Sequence, residues 1–169
     1  MKKFNLRSIA VEILKLVVML VIVANIVSYL KRPEIVDKTL PTLHAKLIDG
    51  NSTSLEALAG KPLILYFWGT WCPICKMSSP VISGLSQDYQ VITVAVNSGS
   101  DADIKSYLKA HNLHFPVIND AEGDIARSFG IDTFPTTFLY NDKGELFYTD
   151  AGYTSKPSLI LKLWIGNLL

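Results

Sequence analysis

Trp71-Cys72-Pro73-Ile74-Cys75 contains both cysteines of the 169-residue chain. It follows an apolar run, Leu63-Ile64-Leu65-Tyr66-Phe67-Trp68, and precedes a stretch with helical patterning. Two thiols at this spacing on the first turn of a helix can close into a small-ring disulfide and reopen. The free N–H groups of a helix N-terminus favour a thiolate over a thiol, so Cys72 should ionise below the ~8.5 of a free cysteine. That is the chemistry of thiol–disulfide exchange. The spacing alone is a moderate signal. A buried strand before it, a tryptophan beside it and Pro135 further on make it strong.

Outward from this centre the chain alternates strands and helices. Leu43, Ala45 and Leu47 alternate with polar residues as in a half-buried strand, Asp49-Gly50-Asn51 reads as a turn, and Ser52-Thr53 starts the return. Ser54 is set to cap a short helix through Leu55 and Leu58 that Gly60 ends. Leu63–Trp68 has the composition of a central strand covered on both faces. A helix is expected from about Cys72 to Asp88, kinked by Pro80 unless it stops at Ser79. Val91–Val96 is a second buried strand; Ser100 or Asp101 opens a helix through Ile104, Tyr107 and Leu108. His114–Ile118 is a short extended segment, and Asp120–Phe129 reads as a helix closed by Gly130. Pro135 stands directly before a β-prone run, Thr136–Tyr140, which suggests a special turn with a cis bond as one option. A hairpin through Asn141-Asp142-Lys143-Gly144 and a last helix from Lys156 or Pro157 complete an α/β fold, a mixed central sheet with helices on both faces.

The formal charge of +1 conceals an asymmetry. Residues 1–32 carry six Lys/Arg (Lys2, Lys3, Arg7, Lys15, Lys31, Arg32) against Glu12 alone, leaving the remainder at −4. A mildly acidic domain excludes a nucleic-acid surface, which needs clustered cations on the domain. Ile9–Leu30 is long enough to span a bilayer if Glu12 and Lys15 lie near the headgroups or pair with one another. A buried core helix would not need basic flanks, and a cleaved signal would show small residues where Ile26-Val27-Ser28-Tyr29-Leu30 stands. The expectation is therefore an uncleaved anchor over 1–32, a tether over 33–39 and a domain over 40–169. The excess of positive charge at the N-terminus places that end in the cytoplasm and the domain outside.

Cys72, nearer the helix start, is the expected nucleophile and the exposed thiol, and Cys75 the resolving thiol. An inert disulfide closing so small a ring would stabilise little. A metal site lacks ligands, since His44, His111 and His114 have no cysteine-paired spacing. The exchange therefore needs no cofactor beyond the Cys72–Cys75 disulfide itself. Trp71 either shapes the surface that meets substrate or simply packs. Pro73 and Ile74 would set the redox potential through thiolate stability.

Phe67-Trp68-Gly69-Thr70-Trp71-Cys72-Pro73-Ile74-Cys75, Pro80 and Phe134-Pro135-Thr136-Thr137-Phe138 together resemble a thioredoxin fold. The anchor, the N-terminal hairpin and the insertion before Pro135 are similar to the membrane-anchored TlpA/ResA/CcmG-type branch. Val91–Ala95, Phe115–Asp120 and Gly152–Ser155 resemble the bacterial suppressor-of-copper-sensitivity D group. The resemblance implies a cis Pro135 that holds the Phe134 backbone against the sulfurs and receives an extended substrate segment. It further implies a periplasmic protein disulfide oxidoreductase, a DsbD-type membrane electron donor, and protein substrates damaged by copper or oxidation. Two departures stand out. Tyr66 and Ser78 occupy positions where relatives carry acids thought to assist proton transfer at the buried thiol, which weakens a cytochrome c-maturation role. A copper-binding module built on the same two cysteines and a thiol peroxidase are the other readings.

Overall fold

The computed structural model describes residues 11–20, 22–23 and 39–166. The chain divides into two compact units, Met1–Arg32 and Pro33–Leu169.

In the first unit, residues 11–20 and 22–23 are helical, with their side chains exposed. Lys15 and Glu12 form the i,i+3 ion pair at 2.9 Å. Among the described residues no helix is long and apolar enough to cross a membrane. The rest of the span Ile9–Leu30, and the tether up to residue 38, lie outside the described residues.

In the second unit, β3 (Leu63–Trp68) is buried at every position. Side chains alternate across a strand, so its two faces feed two cores. It lies at the centre of a five-stranded sheet that also contains β4 (Gln90–Val96), β5 (Val117–Asp120), β6 (Thr136–Tyr140) and β7 (Leu146–Ala151), in the order β5-β4-β3-β6-β7. β3 runs parallel to β4 and antiparallel to β6, with Tyr66 opposite Thr93 on one side and Thr137 on the other. The sheet is thus mixed, as its β-helix-β and hairpin connections require.

Ile64, Tyr66 and Trp68 face a core with Cys72, Cys75, Ile82 and Leu85, with Ile104, and with Leu159 and Leu163. These come from helices α1 (Pro73–Leu85), α2 (Asp101–Ala110) and α4 (Lys156–Gly166). Leu63, Leu65 and Phe67 face the other core with Leu55, Ala126 and Phe138, where Phe67 meets the rings of Phe129 at 5.1 Å and Phe138 at 5.7 Å. Here lie the short α3 (Asp124–Ser128) and the hairpin of β1 (His44–Lys46) and β2 (Ser52–Ser54). Leu43, Ala45 and Leu47 do point at this core, as their alternation predicts. Main-chain bonds fasten the hairpin end to the sheet, Ile48 N–H to Val117 O at 2.9 Å and Leu40 N–H to Gly144 O at 2.8 Å.

β5 runs over Val117–Asp120 where the extended segment was expected over His114–Ile118, and three further boundaries differ from the expectations. α1 continues through Pro80 but ends at Leu85, short of Asp88, with Ser86 as its C-cap. The helix near Leu55 is a single 3-10 turn, Glu56–Leu58, and Ser54 belongs to β2 rather than capping it. The third concerns Asp120. It is not the start of a helix but the last residue of β5, and its buried carboxylate accepts the N–H groups of Ile125 at 3.1 Å and Ala126 at 2.9 Å. It therefore caps α3 from outside, and the helix begins at Asp124.

Candidate active site

The site forms where β3 ends and α1 begins. Cys72 has extended backbone (φ −89°, ψ 114°) and is the N-cap of α1, with Pro73 at the first helical position. A proline is suited there, since its missing N–H would have no partner in the helix anyway. Cys72 and Cys75 are joined in a disulfide with their Cα atoms 5.2 Å apart. The Cys72 sulfur accepts the N–H of Cys75 at 3.1 Å, the contact a capping oxygen would make in an ordinary helix. When the bond is open, the same N–H and the positive end of the helix favour a thiolate on Cys72.

Cys75 is fully buried and Cys72 is 3% exposed. Cys75 is the more buried of the two, as expected, but Cys72 is not the exposed thiol its place at the helix start suggests; it is buried as well. Phe134, partly buried itself, packs against the cluster that holds both sulfurs, and the Trp71 ring meets Phe134 edge-to-face at 5.4 Å. The core that Cys72 joins, invisible in the local pattern, is what buries it.

Trp71 both packs and presents surface. Its indole N–H donates to Val96 O at 3.0 Å, yet the residue remains 53% exposed. A Cβ on Gly69 would sit 2.6 Å from the indole, so the glycine is what lets the ring lie where it does. Thr70 N–H donates to Ser98 Oγ at 3.1 Å, and Ser98 in turn donates to Val96 O at 3.0 Å. The end of β4 thus holds the loop before Cys72. Gly69, Val96 and Ser98 have this role without a sequence pattern that marks it; the one local signal is a glycine directly after Trp68 and two residues before Trp71. Ile74 and Met77 are exposed on the first turns of α1, beside Trp71 in sequence.

The Phe134–Pro135 peptide bond is cis. Pro135 is buried, its carbonyl accepts Gly152 N–H at 2.7 Å, and β6 begins at Thr136. Tyr66 and Ser78 are both buried, and Tyr66 lies in the core that holds the cysteines. Tyr66 Oη lies 3.4 Å from Ser79 Oγ, and burial pushes the phenol well above the ordinary range of a tyrosine. Among the described residues no three or more His, Cys, Asp or Glu side chains converge as a metal site would need. His44 pairs with Glu56 at 3.2 Å, His111 stacks on Tyr107, and His114 meets Asn112 at 3.1 Å.

Comparison with protein families matches residues 36–149 to the AhpC/TSA family. A protein of Haemophilus influenzae named "thioredoxin-like protein" is 36% identical over 91% of this chain and 92% of its own length. The thiol-disulfide oxidoreductase ResA of Bacillus thuringiensis is 30% identical over 73% of this chain and 74% of its own. Among solved structures, the exposed lipoprotein thioredoxin Etrx1 of Streptococcus pneumoniae superposes with a TM-score of 0.64 at 27% identity, covering 74% of this chain and 99% of that one.

Proposed function

We propose, from the premise that this chain belongs to the AhpC/TSA family and is a thioredoxin-like thiol–disulfide oxidoreductase, that Cys72 and Cys75 reduce protein disulfides outside the cytoplasm. The observation that carries this reading is the Cys72 sulfur at the N-cap of α1, taking the Cys75 N–H, with Cys75 buried one turn behind it. In the reduced protein the Cys72 thiolate attacks one sulfur of a substrate disulfide. A mixed disulfide forms, and the departing substrate sulfur takes up a proton. Cys75 then loses its proton and attacks the Cys72 sulfur, which closes the Cys72–Cys75 bond and releases the second substrate thiol. Two electrons and two protons have passed to the substrate. A dithiol donor must return them, and a DsbD-type membrane protein is the partner the resemblance suggests. Phe134, cis-Pro135 and Trp71 form the surface beside the sulfurs on which an extended substrate segment would lie. Pro73 and Ile74 tune the potential from the first turn of the helix.

Residues 1–32 serve as the anchor, 33–39 as the tether and 40–169 as the catalytic domain. The apolar run Ile9–Leu30, its basic flanks and the excess of positive charge before it support an inner-membrane helix with a cytoplasmic N-terminus and a periplasmic domain. The resemblance to the suppressor-of-copper-sensitivity D group supports targets oxidised under copper stress.

The test is Cys75→Ala expressed in cells. Without its resolving thiol, Cys72 should accumulate mixed disulfides that a reductant releases. If no mixed disulfides form and the wild-type protein reduces no insulin, the assignment fails. The anchor is checked by carbonate washing of membranes, which should leave the full chain in the pellet, and by protease added to spheroplasts, which should digest the domain.

A further inference from the structure

Each cycle of exchange moves a proton on or off Cys75, which is fully buried. A carboxylate or histidine beside the sulfur would be the usual acceptor. Among the described residues the one acid buried as a whole is Asp120, whose two oxygens already accept Ile125 and Ala126 N–H; Glu56, with one oxygen covered, pairs with His44 instead. His44, His111 and His114 are all exposed. Hydroxyls stand in their place. Ser78 and Ser79 follow Cys75 by three and four residues, so they share its face of α1, and both are buried. Tyr66 on β3 and Tyr107 on α2 pack into the same core. Burial holds both phenols above their ordinary range, so they stay neutral at working pH. On this side of the sheet the charged pair is Asp150 and Lys162, 2.9 Å apart, with Thr154 also donating to Asp150 and Lys162 lying over the Tyr148 ring. Asp150 lies two strands from Tyr66 in the row Tyr66–Thr137–Asp150, about 10 Å away.

Two of these hydroxyls, Ser78 Oγ and Tyr107 Oη, are buried without a hydrogen-bond partner, and of the two only Ser78 shares the helix face of Cys75. It is 3% exposed and its Oγ has no hydrogen-bond partner in the disulfide form. Helical serines commonly bond a carbonyl one turn back; Ser78 does not. The Tyr66 phenol feels both Ser78 and Ser79, but only Ser79 Oγ lies within hydrogen-bond distance of it, at 3.4 Å. A buried hydroxyl without a partner destabilises the state that contains it.

We propose that Ser78 Oγ is the hydrogen-bond partner of the Cys75 sulfur in the reduced protein, so that opening the disulfide supplies what the closed form lacks. The inference rests on the exchange reading above. In a glutathione buffer the balance is explicit. The Cys72–Cys75 bond breaks, one S–S bond forms between two glutathiones, and the two glutathione protons pass to Cys72 and Cys75. The Cys75 thiol then donates to Ser78 Oγ. When Cys75 ionises, the hydroxyl rotates and donates to the thiolate, since one rotor serves as donor or acceptor. Ser78 thereby favours the dithiol over the disulfide and the Cys75 thiolate over the thiol. It does so without adding an ionisation of its own.

The test equilibrates the full chain in detergent with glutathione buffers as wild type, S78A and S78T. S78A should shift the dithiol–disulfide equilibrium about tenfold toward the disulfide, a potential about 30 mV lower. S78T keeps the hydroxyl and should stay within about twofold of wild type. Thiolate absorbance should show Cys75 ionising at higher pH in S78A. Denaturant unfolding gives a second readout: oxidised S78A should be no less stable than oxidised wild type, and reduced S78A should be less stable than reduced wild type. An unchanged equilibrium in S78A, a shift in S78T equal to that in S78A, or equal stability losses in both redox forms overturns the proposal alone. If wild type does not exchange with glutathione at all, the exchange reading fails and this inference falls with it.

Discussion

Gly69→Ala tests the geometry beside Cys72 most directly. The Cβ it adds would lie 2.6 Å from two atoms of the Trp71 indole, well inside contact distance. The ring must move by roughly 1 Å, because apolar atoms pack at about 3.5–4.0 Å. That motion breaks the indole N–H bond to Val96 O and loosens the edge-to-face contact with Phe134. A hydrogen bond contributes about 1 kcal/mol and an aromatic pair about 1 kcal/mol, so the ceiling is about 2 kcal/mol. Trp71 is half exposed, and water recovers part of the hydrogen bond, which places the expected loss between about 1 and 2 kcal/mol. For a domain of this size that lowers Tm by roughly 4–8 °C. Insulin reduction should slow as well, because the displaced ring no longer borders the sulfurs. A double-mutant cycle with Trp71→Ala isolates the cause. In the Trp71→Ala background, Gly69→Ala should have almost no effect. An equal loss with and without the indole would refute the reasoning and point to the backbone at Gly69 instead.

Three further outcomes are expected. Asp120→Ala leaves the Ile125 and Ala126 N–H groups of a buried helix start without acceptors and should cost roughly 3 kcal/mol, read as a lower urea midpoint with unchanged m-value. Tyr66 has its folded-state pKa raised by burial above the unfolded value of 10.0, so above that pH the folded protein keeps a proton the unfolded chain has lost. Its contribution is complete below pH 10 and is lost as pH rises further, by about 1.4 kcal/mol per pH unit. Alkaline unfolding curves should therefore be shallower for Tyr66→Phe, leaving the smaller share of Tyr107, which burial also raises. Lys162→Met removes the partner of a largely covered Asp150 carboxylate, which keeps the Thr154 hydroxyl; a loss of roughly 2 kcal/mol should appear in thermal unfolding between β7 and α4.

Local chemistry explains what could be read without the structure. A six-residue apolar run leaves few alternatives to a central strand, and β3 occupies Leu63–Trp68 as expected. Cysteines three apart at a helix start can reach one another whatever surrounds them, so the pairing of Cys72 with Cys75 was legible. The β1–β2 hairpin followed from alternation about a glycine turn. Asp120 was misplaced because an acid before a helical pattern is the ordinary mark of an N-cap. Only the turn through Gly123 (φ 73°) shows that the carboxylate caps from the preceding strand.

What the amino-acid order determined by itself was the fold and the reactive pair, since both rest on short-range periodicity and spacing. What only the tertiary structure decided was the environment of that pair. The packing of Phe134 on the core that holds the pair, the tie from Trp71 to Val96 and the buried hydroxyls of that core all come from residues distant in the chain or from the packing of α1 on β3. Such contacts depend on how strands and helices meet across the sheet. No local pattern encodes that the Ser78 hydroxyl is buried without a partner.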